Sequence, residues 1–269
     1  MKTTWFVCSD IHSFFDEWMV ALNSNGFDIN NKNHKLIVCG DLFDRGKQTV
    51  QCYELARKML DENRMVYIRG NHESLMQDLL FEVKVGADIG MHHMSNGTLD
   101  SLAQFLNKTP YEVVCGVCEN SEINEIYEFL NHFINTNCRD FYILGNFIFV
   151  HSWLPKVRDE DGNEIIDPNW MGARADWRHA TWGNPFDEYM YGSGGIKGKT
   201  IVFGHWHTSY AHSTIEKDGS EFGADANFDI FKNDYIIGLD GCTAYTRKVN
   251  CLVIEENGDD YIIRQENPS

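Results

Sequence analysis

Five short apolar runs in this chain each end in residues with metal-ligand chemistry. Trp5-Phe6-Val7-Cys8 leads into Asp10 and His12, and residues 36–39 lead into Gly40 and Asp41. Residues 65–68 lead into Asn71 and His72, 147–150 into His151, and 200–203 into Gly204-His205-Trp206-His207. Unbroken apolar runs of this length suit strands buried on both faces, which requires covering layers on either side. Helices are expected near residues 13–23, 48–63 and 74–81, between and after the first three runs. The second has Val50, Tyr53, Leu55, Met59 and Leu60 on a mostly apolar face. Alternation of strand and helix predicts a layered α/β domain. Open α/β sheets bind ligands beyond the carboxyl ends of their strands, so the five ends are expected to meet in one site.

The most explicit of the five is Gly-Asp-Leu-Phe-Asp-Arg-Gly at 40–46, where two acids and an arginine leave a buried strand between two glycines. Packing does not require that arrangement. A carboxylate can bridge two cations, and a guanidinium grips phosphate oxygens with its planar fork. Asp41, the first acid after its strand, is the bridging candidate. Asp10 and His12 suit one metal ion; Asn71, His151 and His205 suit the other. His207, two positions beyond His205, is placed to complete the first. Mixed imidazole and carboxylate ligation favours Mn²⁺, Fe or Zn²⁺ over Ca²⁺, and Mg²⁺ prefers oxygen and water. Such a pair of ions clamps a phosphate for in-line attack. His72 would protonate the leaving group, Asp44 would orient its ring, and Arg45, with Asn71, would hold the phosphate oxygens. Taken singly, each motif has a plainer explanation: a capped turn, a helix start, a hydrogen-bonded core histidine, or an ion pair between Asp44 and Arg45.

The chain has 269 residues, 43% of them hydrophobic, enough for a single α/β domain spanning 1–269. Residues 86–140 read as helical, with Leu99, Leu102, Phe105 and Leu106 on one face and Ile123, Ile126, Tyr127, Leu130 and Phe133 on another. Residues 155–198 read as an irregular segment of the kind that covers active sites. No run is long enough to span a membrane and no secretory signal is evident, so a cytoplasmic location and no membrane partner are expected. Eight cysteines fit that compartment, and Cys115 and Cys118, lacking a second pair, are expected to be free thiols. The net charge of −17 disfavours nucleic acid as a partner. Two cations and one arginine can still make a positive pocket inside an acidic shell.

Together, Asp10-Ile-His12, the heptad at 40–46, Gly-Asn-His-Glu at 70–73, His151 and Gly204-His205 resemble the calcineurin-like metallophosphoesterases. The heptad and Gly-Asn-His-Glu point to the serine/threonine phosphoprotein phosphatases. Arg69, Asn96-Gly97-Thr98 and Leu239-Asp240-Gly241 echo the bacterial and phage lambda phosphatase-like branch. The resemblance implies a four-layer fold, a central β-sandwich flanked by helices, with a dinuclear site at the strand ends. It implies the ligand and catalytic roles assigned above, with a phosphorylated protein or small phosphate ester as substrate. Two positions depart from the pattern. Asn184 stands where a second phosphate-binding arginine is expected, leaving Arg174 and Arg178 as replacements. Gly-His-Trp-His stands in place of Gly-His-Thr.

Two other functions compete. A bis(5'-nucleosyl)-tetraphosphatase would share the same motifs and need a base-stacking pocket, for which Trp153, Trp170 and Trp177 are candidates. A non-enzymatic scaffold would have lost Asp41, Asn71 or His72, and all three are present.

Overall fold

Side chains alternate strictly along the first three strands, and this sorts the interior into layers. The computed structural model describes residues 2–172 and 174–264. Strands β1 (Thr4–Cys8), β2 (His34–Cys39) and β3 (Met65–Ile68) run parallel and in register. Phe6, Cys8, Leu36, Val38, Met65 and Tyr67 face one side, and Trp5, Val7, Ile37, Cys39, Val66 and Ile68 the other. With β4 (Cys138–Arg139), β12 (Leu252–Asn257) and β13 (Asp260–Ile263) they form a six-stranded sheet ordered β13-β12-β1-β2-β3-β4. A second sheet, ordered β10-β11-β9-β6-β5, contains β5 (Tyr142–Leu144), β6 (Phe147–Phe149), β9 (Thr200–Phe203), β10 (Phe231–Lys232) and β11 (Ile236–Gly238).

The two sheets close on each other through Trp5, Val7, Ile37, Val66, Phe147, Phe149, Val202 and Ile237. The outer face of the first sheet is covered by α1 (Phe15–Ser24), α2 (Thr49–Asp61), α3 (Asn71–Val85), α5 (Thr98–Leu106), α6 (Pro110–Val114) and α7 (Asn120–Asn137), after a short α4 (Met91–Asn96). The outer face of the second carries α9 (Pro185–Tyr191) and α10 (Thr208–Ala211), through Phe186 and Ala211. The result is the expected four-layer arrangement of helices, sheet, sheet and helices. The five strands anticipated from the apolar runs are β1, β2, β3, β6 and β9, and within each sheet they pair in parallel.

Two boundaries differ from the sequence-based expectation. Helix α3 begins at Asn71, three residues before 74, because Glu73 at its third position accepts the N–H of Gly70 at 2.7 Å. That is half of a capping box, with a glycine as cap. Residues 155–198 are less irregular than expected. They contain the hairpin of β7 (Lys156–Arg158) and β8 (Glu164–Ile166), then α8 (Trp177–Ala180) and α9. Asp159 organises the hairpin turn by accepting the N–H groups of Asp161 and Asn163. Near the end of the chain, α11 (Thr243–Thr246) follows β11. No helix among the described residues is long and apolar enough to cross a membrane.

Candidate metal centre

Asp41 leaves β2 into the space where the other strand ends converge. Its Oδ2 lies 3.8 Å from His12 Nε2 and 3.9 Å from His72 Nε2, and its Oδ1 lies 3.5 Å from His151 Nε2. On that second side, Asn71 Oδ1 is 2.8 Å from His151 Nε2 and 3.0 Å from His205 Nδ1, and the two imidazole nitrogens are 3.1 Å apart. Asp10 Oδ1 is 4.0 Å from His12 Nε2, while its Oδ2 accepts the backbone N–H of His205. Two donor clusters thus share Asp41: His12 with Asp10, and Asn71 with His151 and His205.

The backbone at these ends is unusual. Asp10, His12, Ser13, Asp41, Asp44, Arg45 and His205 all have φ between 49° and 77°. Non-glycine residues held there cost about 1–3 kcal/mol each, and such strain gathers where function fixes geometry. Glycine is required at two neighbouring positions: a Cβ on Gly70 would strike Asp41 Oδ1, and one on Gly204 would strike Asp10 Oδ2. Glu73 locks the turn from beneath. It accepts the N–H groups of Asp41, Leu42 and Gly70 and the hydroxyl of Tyr67.

The donor atoms fit cations. His12 Nδ1 lies 3.0 Å from the Phe43 carbonyl and His151 Nδ1 lies 2.8 Å from that of Cys39. Each bond places the ring proton on Nδ1 and leaves Nε2 as a lone pair facing Asp41, the arrangement that carbonyl-anchored metal ligands adopt. Burial and the neighbouring His72 and Arg45 lower the pKa of His12 well below the usual imidazole value, and burial with His151 lowers that of His205 to about 3. Both rings are therefore neutral, as ligands must be. At Asp41 burial opposes ionisation, but His151 and then His72 hold it below the usual carboxylate range. Asp10 is raised by burial and by Asp240 and Asp41. Three acidic groups crowded without a cation repel one another, and bound ions would relieve this.

His72 is held beside this centre. Its Nδ1 lies 2.6 Å from Asp44 Oδ2, which also accepts the hydroxyl of Thr98 at 2.7 Å. Its Nε2 faces Asp41 and stands 3.4 Å from an Arg45 nitrogen. Burial pulls the His72 pKa down, yet Asp41 and the Asp44 bond outweigh it and the net shift is upward. The Asp44 N–H is in turn held by Ser101 Oγ.

Not every candidate joins the cluster. His207 Nε2 lies 2.9 Å from Glu221 Oε1, and its ring packs on Phe222 with centroids 4.8 Å apart. The structure thus turns its Nε2 toward Glu221 rather than to Asp10 and His12. Arg174 and Arg178 are exposed and are not among the residues converging on Asp41; Arg178 borders a cavity with Arg69, Asp140 and Trp177. Asn184 caps α9, accepting the N–H groups of Phe186 and Asp187. Trp153 and Trp170 are buried in the core, whereas Trp177 stacks on Phe141 with centroids 5.5 Å apart and borders the same cavity as Arg178. Sequence reasoning missed Glu73, Thr98 and Ser101 as supports, and Asp240, a buried acid close enough to raise Asp10. Gly-Asn-His-Glu, Asn96-Gly97-Thr98 and Leu239-Asp240-Gly241 were visible signals for Glu73, Thr98 and Asp240 without giving their roles, and Ser101 had none.

Residues 4–209 match the family model described as calcineurin-like phosphoesterase. Among curated proteins, the chain is similar to the bis(5'-nucleosyl)-tetraphosphatase PrpE [asymmetrical] of Anoxybacillus flavithermus, 29% identical over 109 residues, covering 38% of this chain and 43% of the relative. It is also similar to the protein of that name from Halalkalibacterium halodurans, 23% identical over 128 residues, covering 45% and 48%. The chain thus spans less than half the length of these relatives. In fold it is similar to a protein serine/threonine phosphatase from Saccharomyces cerevisiae, with a TM-score of 0.52, 14% identity and coverage of 99% of this chain and 81% of that one. A cold-active protein tyrosine phosphatase gives a TM-score of 0.50 at 12% identity, covering 98% and 79%. The architecture, the shared Asp41 and the match over most of the length agree: the chain belongs to the calcineurin-like phosphoesterase family.

Proposed function

We propose that this protein is a dinuclear-metal phosphomonoesterase acting on esters with alkoxide leaving groups, with phosphoserine and phosphothreonine in proteins as the leading substrate class. The observation that carries this reading is the His72–Asp44 pair, buried against Asp41. An alkoxide is a poor leaving group and needs a proton as it departs, whereas a phosphate leaving from an anhydride needs one far less. Asp10, His12 and Asp41 would hold one ion, and Asp41, Asn71, His151 and His205 the other; Mn²⁺, Fe and Zn²⁺ suit these donors better than Mg²⁺. When bound, the two ions lower the pKa of the attacking water and offset charge on the phosphate. Arg45 and Asn71 hold the non-bridging oxygens. The water gives up one proton to solvent, its oxygen bonds to phosphorus, the bond to the ester oxygen breaks, and that oxygen takes the proton from His72 Nε2. Asp44 keeps the ring oriented and favours its protonated form before the step.

A second reading, hydrolysis of a dinucleoside polyphosphate, is favoured by the names of the curated relatives and by an exposed aromatic pair. Phe222 and Tyr245 are 49% and 61% exposed and meet edge to face beside His207. A nucleobase stacked on such a ring gains about 1–3 kcal/mol. Assaying a phosphoseryl peptide and diadenosine tetraphosphate in parallel with Mn²⁺ separates the two. The leading reading expects the higher kcat/KM on the peptide. Preference for the dinucleotide, lost in Phe222→Ala and Tyr245→Ala while aryl phosphate hydrolysis persists, would establish the second instead.

A further inference from the structure

Helix α3 carries Asn71 at its start and Glu82 near its end, eleven residues on, about 16 Å along the axis at the α-helical rise. There a second cluster of ligand-type side chains forms with the first turn of α4. Glu82, His92 and His93 each offer a donor atom, and these atoms lie within 4.8 Å of one another. The two imidazoles, adjacent in sequence, turn to the same side, with ring centroids 4.0 Å apart. Glu82 Oε2 is fixed by accepting the N–H of Gly90 at 3.0 Å. His93 is fully buried, yet neither of its ring nitrogens makes a hydrogen bond among the described residues. Its Nε2 stands 3.4 Å from Glu82 Oε2.

A buried imidazole nitrogen without a hydrogen bond is costly, and the Glu82 carboxylate at 3.4 Å recovers that cost only in part. A cation between the three donors would engage one of the two His93 nitrogens. We propose that Glu82, His92 and His93 form a third, mononuclear metal site for a divalent transition ion of the zinc class. Two imidazoles with one carboxylate disfavour Ca²⁺ and Mg²⁺, and three protein donors leave a fourth tetrahedral position for water. Burial, with His92 close by, lowers the His93 pKa, which keeps that ring neutral for ligation. The site clamps α4 to α3. Helix α4 is capped by Gly97, which sits so close to the Arg45 backbone that a Cβ there would strike it, and the next residue, Thr98, bonds Asp44. The ion would therefore brace the turn that presents Asp44 and Arg45. The proposal does not depend on which phosphate ester is the substrate.

The test is the number of zinc ions per folded chain, measured by elemental analysis after reconstitution and removal of excess metal, for the unaltered protein, His92→Ala and Glu82→Gln. His92 is exposed, so its replacement leaves the core intact, and the Glu82→Gln side chain keeps an oxygen for the Gly90 N–H. Both variants are expected to bind one ion fewer than the unaltered chain, and added Zn²⁺ should raise their thermal midpoints less. Equal ion counts in all three proteins would overturn the proposal.

Discussion

His72 Nδ1 lies 2.6 Å from Asp44 Oδ2, and the two side chains are almost wholly buried. One comes from the start of α3 and the other from the turn after β2, so the pair exists only when the two segments are assembled. Its value to the proposed reaction depends on the leaving group. His72→Asn is expected to lower kcat on an alkyl phosphate or phosphoseryl peptide by about 10²–10⁴, with a smaller loss on a nitrophenyl phosphate whose leaving group needs no proton. Metal content should be unchanged. Equal losses on both substrates would remove His72 from the role of acid.

Asp44→Asn probes the same pair through pH. His72 must be protonated to donate, so kcat/KM falls as pH rises through its pKa, which the folded protein holds above the usual imidazole value. Removing the Asp44 charge withdraws part of that upward shift while Asp41 retains the rest. The alkaline limb of the profile on an alkyl phosphate should therefore move to lower pH. A limb that stays in place would assign the titration to another group.

Glu73 supports the turn rather than the chemistry. Its Oε2 accepts the N–H groups of Asp41 and Gly70, and its Oε1 accepts the Leu42 N–H and the Tyr67 hydroxyl. Glu73→Gln replaces one oxygen by a donor and strands two of these groups. At about 1–3 kcal/mol for each orphaned donor, the loss of stability should be about 2–6 kcal/mol. Urea unfolding should show a lower midpoint with an unchanged slope. A midpoint within error of the parent would contradict the role given to this residue.

Asn184 stands where related enzymes are expected to place an arginine, and its side chain caps α9. Asn184→Arg should therefore fail to improve KM for a phosphate ester and should cost about 1 kcal/mol through the lost cap. A lower KM without loss of stability would show that the loop can deliver a guanidinium to the phosphate.

The layers and the centre were legible because buried parallel strands are written as plain apolar runs, and their ends fall where ligands collect. Asp41, Asn71, His151 and His205 converge for that reason. What escaped sequence reasoning depends on distant segments meeting. Thr98 and Ser101 reach the heptad from α5, and Asp240 nears Asp10 from the end of β11; no local spacing records these approaches. His207 reads as a ligand by spacing alone, but Glu221, in a separate loop, holds its Nε2. Trp153 and Trp170 are consumed by packing, while the exposed rings beside His207, Phe222 and Tyr245, lie in segments with no periodic signal. The hairpin within 155–198 went unseen because its strands are three residues long.

The most direct test of the central claim is hydrolysis of a phosphoseryl peptide by metal-stripped protein as Mn²⁺ is returned, with Asp41→Asn alongside and bound metal counted throughout. Turnover should be absent without metal, should recover as two ions bind at the strand ends, and should be lost together with paired binding in Asp41→Asn. Turnover that is independent of metal, or a protein with both ions bound that hydrolyses neither the peptide nor a simple aryl phosphate, would contradict that claim.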